Sequence, residues 1–109
     1  MGLIYHLADP KIWEKALSGG AYAAASLATE GFIHCSTKEQ LIPSATKHFT
    51  DANELVVLEI PEKKVRHLLK MEPAQNGELF PHIYGKIRFD YVENTRMLFR
   101  NKAGEWEWD

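Results

Sequence analysis

The segment Leu55-Val56-Val57-Leu58-Glu59-Ile60 constrains the fold most strongly. Five of its six residues are apolar, three of them are β-branched, and Pro61 closes it. A run this short and this apolar predicts a strand at the centre of a sheet, ended where proline can no longer donate to the ladder. The rest of the chain has to be arranged around it.

Upstream, Ile4 to Leu7 reads as a short first strand. Asp9-Pro10 then supplies an N-cap and a proline at the first helical position. Ile12, Trp13, Ala16 and Leu17 follow at helical spacing until Gly19-Gly20 ends the run. Trp13 is expected to anchor that helix on the sheet. Ala21 to Leu27 is small and ambiguous, a strand or an irregular crossing, and Phe32 to Ser36 reads as a strand. Thr37-Lys38-Glu39-Gln40 is a capping-box pattern opening a helix that carries Leu41, Ile42, Ala45 and Phe49. Pro43 requires either a short turn before that helix or a kinked first turn. Downstream, Val65 to Met71 and Ile87 to Tyr91 are expected strands. Phe80 to Gly85 reads as a loop because of Pro81 and Gly85, and 97–100 with 105–108 predict a terminal hairpin across 101–104. Strands outnumber helices without alternating regularly with them, which predicts an α+β domain.

The 109 residues leave room for one core, and 45% hydrophobic with 26% charged residues is an ordinary globular balance. The single cysteine, Cys35, excludes an internal disulfide and fits a reducing compartment. The start of the chain shows neither a basic region nor a long apolar run, and no stretch approaches the roughly 20 residues of a membrane helix. A cytoplasmic protein without membrane association is expected. A net charge of −2 argues against nucleic-acid binding by phosphate neutralisation. The basic stretch Lys63-Lys64-Val65-Arg66-His67 with Lys70 reads as a solvated face of an edge strand or turn.

The chemistry centres on histidines. Three of the five, His6, His34 and His82, lie in apolar surroundings: Ile4-Tyr5-His6-Leu7, Gly31-Phe32-Ile33-His34-Cys35-Ser36-Thr37 and Phe80-Pro81-His82-Ile83-Tyr84-Gly85. In an extended 32–36 segment, Phe32, His34 and Ser36 share one face and Ile33 with Cys35 the other. That would set an imidazole beside a hydroxyl, next to a helix start at Thr37 whose free N–H groups favour an anion. Parity likewise groups His82 with Tyr84, a pair suited to stacking on a flat ring. His6 is equally compatible with a core position. Cys35 points inward, where a thiol is inert, and no nucleophile elbow supports a Ser36–His34 pair. No paired ligand spacing marks a metal site.

These motifs in their order resemble the bacterial domain-of-unknown-function family 952, over about residues 3 to 93. The fold of that family is similar to that of ADP-ribosyltransferases, particularly the RNA 2′-phosphotransferase branch. Those enzymes carry a Tyr-His pair on the first strand and a His-x-Ser run on a later one. Tyr5-His6 and His34-Cys35-Ser36 stand at the corresponding places. The resemblance implies an ADP-ribosyltransferase-like single domain of split antiparallel or mixed sheets with two main helices, followed by the hairpin at about 96–108. It also implies a cleft for NAD, with His6 toward the nicotinamide ribose, Ser36 near it and an aromatic ring against the nicotinamide. None of Arg66, Arg88, Arg96 and Arg100 adjoins the motifs, where the phosphotransferases use arginines. Glu30, Glu59 and Glu72 are candidates for a ribose-side carboxylate by exclusion only.

The expected site therefore comprises His6, Ser26, His34, Ser36, Thr37, His82 and Tyr84, binding NAD or another small nucleotide-like ligand. If the protein is catalytic, it would transfer ADP-ribose, with His6 orienting the ribose and His34 assisting proton transfer. The alternatives are a non-catalytic module for a small metabolite or protein tail, and a hydrolase or isomerase using His34 and His82 as an acid–base pair. Oligomeric state is not set by the sequence.

Overall fold

The computed structural model describes residues 2–109. The predicted central strand, β4 (Glu54–Pro61), pairs antiparallel with β1 (Leu3–Ala8) on one side and with β8 (Asn94–Arg100) on the other, and β9 (Trp106–Trp108) completes a sheet of order β1-β4-β8-β9. Alternation along β4 sends Val56, Leu58 and Ile60 into one core, with Ile33, Val65, Ile83 and Ile87, and Leu55 and Val57 into another, with Leu41, Ala45, Leu98 and Trp106. Burial on both faces is why β4 is nearly continuous in apolar residues. Each Leu, Ile or Val fully buried there contributes roughly 1.5–3 kcal/mol.

A second sheet covers the first of these faces. Its order is β3-β6-β5, formed by β3 (Ile33–His34), β6 (Leu79–Ile83) and β5 (Leu69–Pro73), all antiparallel. The pair β2 (Ala21–Tyr22) and β7 (Ile87–Arg88) stands apart from it. The two larger sheets are stitched by one bridge, in which the Tyr5 N–H donates to the Ser36 carbonyl at 2.9 Å and the Ser36 N–H to the Tyr5 carbonyl at 2.8 Å. The molecule is thus an α+β domain with separate antiparallel sheets.

Helix α1 (Pro10–Ala16) begins as its sequence predicts. Asp9 caps it, accepting from the N–H groups of Lys11 and Ile12 at 2.8 and 3.3 Å. Trp13 packs on the core against Tyr22 and Phe89. Pro43 is accommodated because a 3₁₀ turn (Lys38–Gln40) precedes α3 (Leu41–His48), leaving the proline in the first helical turn, where its missing N–H has no intrahelical partner to lose. The hairpin of β8 and β9 turns on Gly104, whose φ is 83°.

Four expectations are corrected. Of the stretch Ala21 to Leu27, only Ala21–Tyr22 is a strand, and from Ala25 the chain is a helix, α2 (Ala25–Glu30): its alanines and Leu27 are good helix formers, and Gly31 at φ 90° ends it in the left-handed conformation. The stretch predicted as a strand from Val65 opens instead with α4 (Glu62–Val65) and a 3₁₀ turn (Arg66–Leu68), and β5 starts only at Leu69. Helical geometry buries Val65 alone and leaves Lys63, Lys64, Arg66 and His67 in water. The expected two main helices therefore become four. After Ile87–Arg88 the chain turns into a 3₁₀ segment (Phe89–Tyr91) that sets Phe89 edge-on to Trp13.

The fourth correction shapes the site. Pro81 lies within strand β6, not in a loop. Its carbonyl accepts from the Cys35 N–H at 2.9 Å, but it has no N–H to return the bond. The ladder between β3 and β6 accordingly ends after Ile33–His34, two residues in place of the predicted five.

Candidate functional site

Register places His34 opposite His82, and His82 opposite Lys70. Because side chains alternate along a strand, Phe32 and His34, His82 and Tyr84, and Lys70 and Glu72 all rise from one face of the small sheet. The opposite face carries Ile33 and Ile83 into the core. Since Cys35 and Pro81 form the neighbouring hydrogen-bonded position, His34 and His82 occupy a non-hydrogen-bonded pair, where side chains approach most closely.

The rings meet there. Phe32 lies parallel to His82 with centroids 4.1 Å apart and an interplanar angle of 18°. It is edge-on to His34 at 4.8 Å and tilted against Tyr84 at 5.3 Å. The two imidazoles stand edge to face at 5.2 Å. Lys70 Nζ sits 4.9 Å from the centre of the Tyr84 ring.

Each imidazole has a carboxylate. Glu72 Oε1 accepts from His82 Nδ1 at 2.7 Å and from the Tyr84 hydroxyl at 2.5 Å. The Tyr84 and His82 bonds hold the Glu72 carboxyl below the usual carboxylate range, and the same carboxylate pushes the Tyr84 phenol up. Glu30, the last residue of α2, accepts from His34 Nε2 at 3.2 Å, brought back over β3 by the left-handed turn at Gly31. His34 is 54% exposed and His82 only 12%, so one imidazole is open to solvent and the other is set into the face.

His6 lies behind this face rather than in it. It is buried, and both ring nitrogens have partners: Nδ1 contacts the His34 carbonyl at 2.7 Å and Nε2 the Tyr22 hydroxyl at 2.7 Å. A carbonyl only accepts, so Nδ1 carries the proton and Nε2 accepts from Tyr22. Burial pushes the His6 pKa down to about 4, keeping the ring neutral. The expectation that His6 faces a ribose is corrected: it props the backbone of His34 from within. A metal set including His6 is excluded because neither nitrogen is free.

Ser36 is also buried, its hydroxyl 3.4 Å from that of Ser44 and away from the rings. Past His34 the chain passes from β6 to β1, and Ser36 is covered where its backbone bridges Tyr5. At Thr37 the expected anion-favouring N–H is taken by the Gln40 Oε1 at 3.0 Å, while Gln40 Nε2 donates to the Leu79 carbonyl and to Glu78. Ser26 lies half-buried within α2, its carbonyl accepting from the Gly31 N–H. Of the predicted set, the structure brings together His34, His82 and Tyr84. Phe32, Glu72, Glu30 and Lys70 join them. Parity had grouped Phe32 with His34, and Glu30 and Glu72 were carboxylate candidates by exclusion only; their pairing with His34 and His82 appears once α2 and β5 are placed. Glu59 faces Arg96 at 4.0 Å, remote in partnership from this cluster.

Two hollows of about 300 and 330 Å³ lie away from these rings, the first against Phe49 and Asp51, the second between Trp13, Phe89 and Glu93. Among the described residues no helix is long and apolar enough to cross a membrane.

A small α+β domain with an imidazole–aromatic face on its lesser sheet is the class that fold and site define. Residues 7–95 match the family described as protein of unknown function DUF952, and the chain belongs to it. It is similar to the crystal structure of protein CC0527 from Caulobacter crescentus, with 29% identity and a TM-score of 0.87 over 96% of this chain and 93% of that one. The solution NMR structure of CC0527 gives 30% identity and a TM-score of 0.82 over 96% and 91%. No curated protein matches the chain.

Proposed function

We propose that this protein binds a nucleotide-like ligand on the face formed by Phe32, His34, His82 and Tyr84, with NAD as the leading ligand, and that the domain is ADP-ribosyltransferase-like. The observation that carries the reading is the gathering of three flat rings around Phe32, with His82, His34 and Tyr84 centred 4.1, 4.8 and 5.3 Å from it and His34 half open to water. Flat rings arranged this way suit stacking on a nicotinamide or a base. Lys70 supplies a cation beside them for a pyrophosphate. The resemblance to ADP-ribosyltransferases supplies the reaction, transfer of ADP-ribose, with His34 in proton transfer.

Calorimetry with NAD, NADP and ADP-ribose tests it. Saturable heat that is lost in Phe32→Ala and in His34→Ala is the expected result, and flat traces at millimolar concentration would overturn the reading.

A non-catalytic module on the same fold is the second reading. It is favoured because three of the arginines are engaged away from the rings: Arg88 with Asp90, Arg96 over Trp108, and Arg100 with the carbonyls of Phe49, Ala52 and Gly104. Release of nicotinamide from labelled NAD supports the enzyme, and binding without release supports the module.

A further inference from the structure

We infer that Glu72 is a positioning residue of this site, fixing His82 as the imidazole that accepts a proton from an attacking hydroxyl. The inference rests on the ADP-ribosyl-transfer reading above, moves the acceptance of the hydroxyl proton in that transfer from His34 to His82, and gives Glu72 a role that neither the motif nor the resemblance had assigned. A carboxylate only accepts, so both groups on Glu72 Oε1 are donors: the His82 Nδ1–H at 2.7 Å and the Tyr84 hydroxyl at 2.5 Å. A neutral imidazole has a single N–H. Committing it to Nδ1 leaves Nε2 with its lone pair, the form a general base requires.

Two constraints hold the ring. Phe32 stacks parallel on it at 4.1 Å, and Glu72, diagonal to it across the β5–β6 ladder, fixes its edge. The side chain is only 12% exposed, so the ring has little freedom to turn over. The carboxylate stays ionised under its two donors and can stabilise an imidazolium when one forms. His34, by contrast, is half in water with its own carboxylate, Glu30, an arrangement suited to exchanging protons with solvent.

In the transfer, the acceptor hydroxyl oxygen forms a bond to the ribose anomeric carbon of NAD. The glycosidic C–N bond breaks with its electron pair passing to nicotinamide, which leaves neutral, and the hydroxyl proton goes to His82 Nε2. With water as acceptor the product is ADP-ribose.

Nitrogen-15 NMR of the histidine rings at pH 8, together with nicotinamide release from labelled NAD, tests the assignment. Wild-type His82 is expected to carry its proton on Nδ1. Glu72→Leu moves it to Nε2 and lowers release by about 10²-fold or more, the scale of a lost general base, while the His6 ring signals, which report the fold, stay in place. Glu72→Gln, whose amide oxygen still accepts, keeps the Nδ1 proton and recovers part of the rate. A wild-type His82 protonated on Nε2, or unaltered release in Glu72→Leu, overturns the role of Glu72 even if NAD binds. Saturable calorimetric binding without release overturns this inference alone, whereas a flat trace without release overturns the binding reading with it.

Discussion

The Nδ1–H of His6 donates to the main-chain carbonyl of His34 across 2.7 Å, so a buried imidazole holds the backbone that presents an exposed one. With Tyr22 on its other nitrogen, His6 is a neutral post between the central sheet and the ring-bearing face. The sequence motif that suggested a catalytic histidine therefore marks a buried support for the exposed His34.

Stability should fall in mild acid because of His6. Its pKa is about 4 in the folded protein against 6.5 in the unfolded chain. Above pH 6.5 both states hold the neutral ring. Between 6.5 and 4 the unfolded state binds a proton that the native state refuses, so stability present above 6.5 is lost as pH falls, by about 3 kcal/mol at most. Urea denaturation at pH 7.5, 6, 5 and 4.5 should show this slope in the wild type and a flatter one in His6→Gln. The Glu72 and Asp90 carboxyls, both held below their ordinary values, act in the same sense but equally in the two proteins, so they cancel in the comparison. Equal slopes in the two proteins would contradict the assignment.

Tyr22→Phe removes the donor to His6 Nε2 and leaves a buried acceptor unsatisfied. Such a loss costs about 1–3 kcal/mol. Thermal or chemical denaturation at pH 7.5 should register it, and a change below about 0.5 kcal/mol would mean that the contact carries no net energy.

Gly31→Ala places a side chain at φ 90° with nothing within 4 Å of the new Cβ, so the effect is backbone strain without a clash. About 1–2 kcal/mol is expected. The strain falls between Glu30 and Phe32, so the chemical shifts of the His34 ring should move with the loss in Tm. A lower Tm with unmoved His34 resonances would show that the turn does not position the site.

The Tyr84 phenol is held above its ordinary value chiefly by its bond to the Glu72 carboxylate. Glu72→Gln removes the charge, so the phenol should ionise at lower pH, closer to 10.0. Carbon-13 NMR of ring-labelled tyrosine separates Tyr84 from Tyr5, Tyr22 and Tyr91. An unshifted or raised titration in the variant would contradict the bond.

Much of the scaffold was legible because its signals are local. Asp9-Pro10, the apolar run of β4, the Gln40 capping box and the 101–104 turn each depend on residues a few positions apart. Two of the histidine motifs also meet on one face, as parity suggested by grouping Phe32 with His34 and His82 with Tyr84. The misreadings share a cause: α2, the α4 turn and strand β6 with its proline are set by packing and pairing partners distant in sequence, which override local composition.

By itself the sequence determined an α+β domain built on one central apolar strand, with its histidines of interest in three short runs, because hydrophobic period and capping chemistry are written between near neighbours. Only the tertiary structure decided which imidazole is inside and which are presented. The antiparallel register brings β5 beside β6 and so delivers Glu72 to His82, while the bridge from Tyr5 to Ser36 brings His6 under His34. Those relations join residues 10 and 28 positions apart, and no spacing in the chain encodes them.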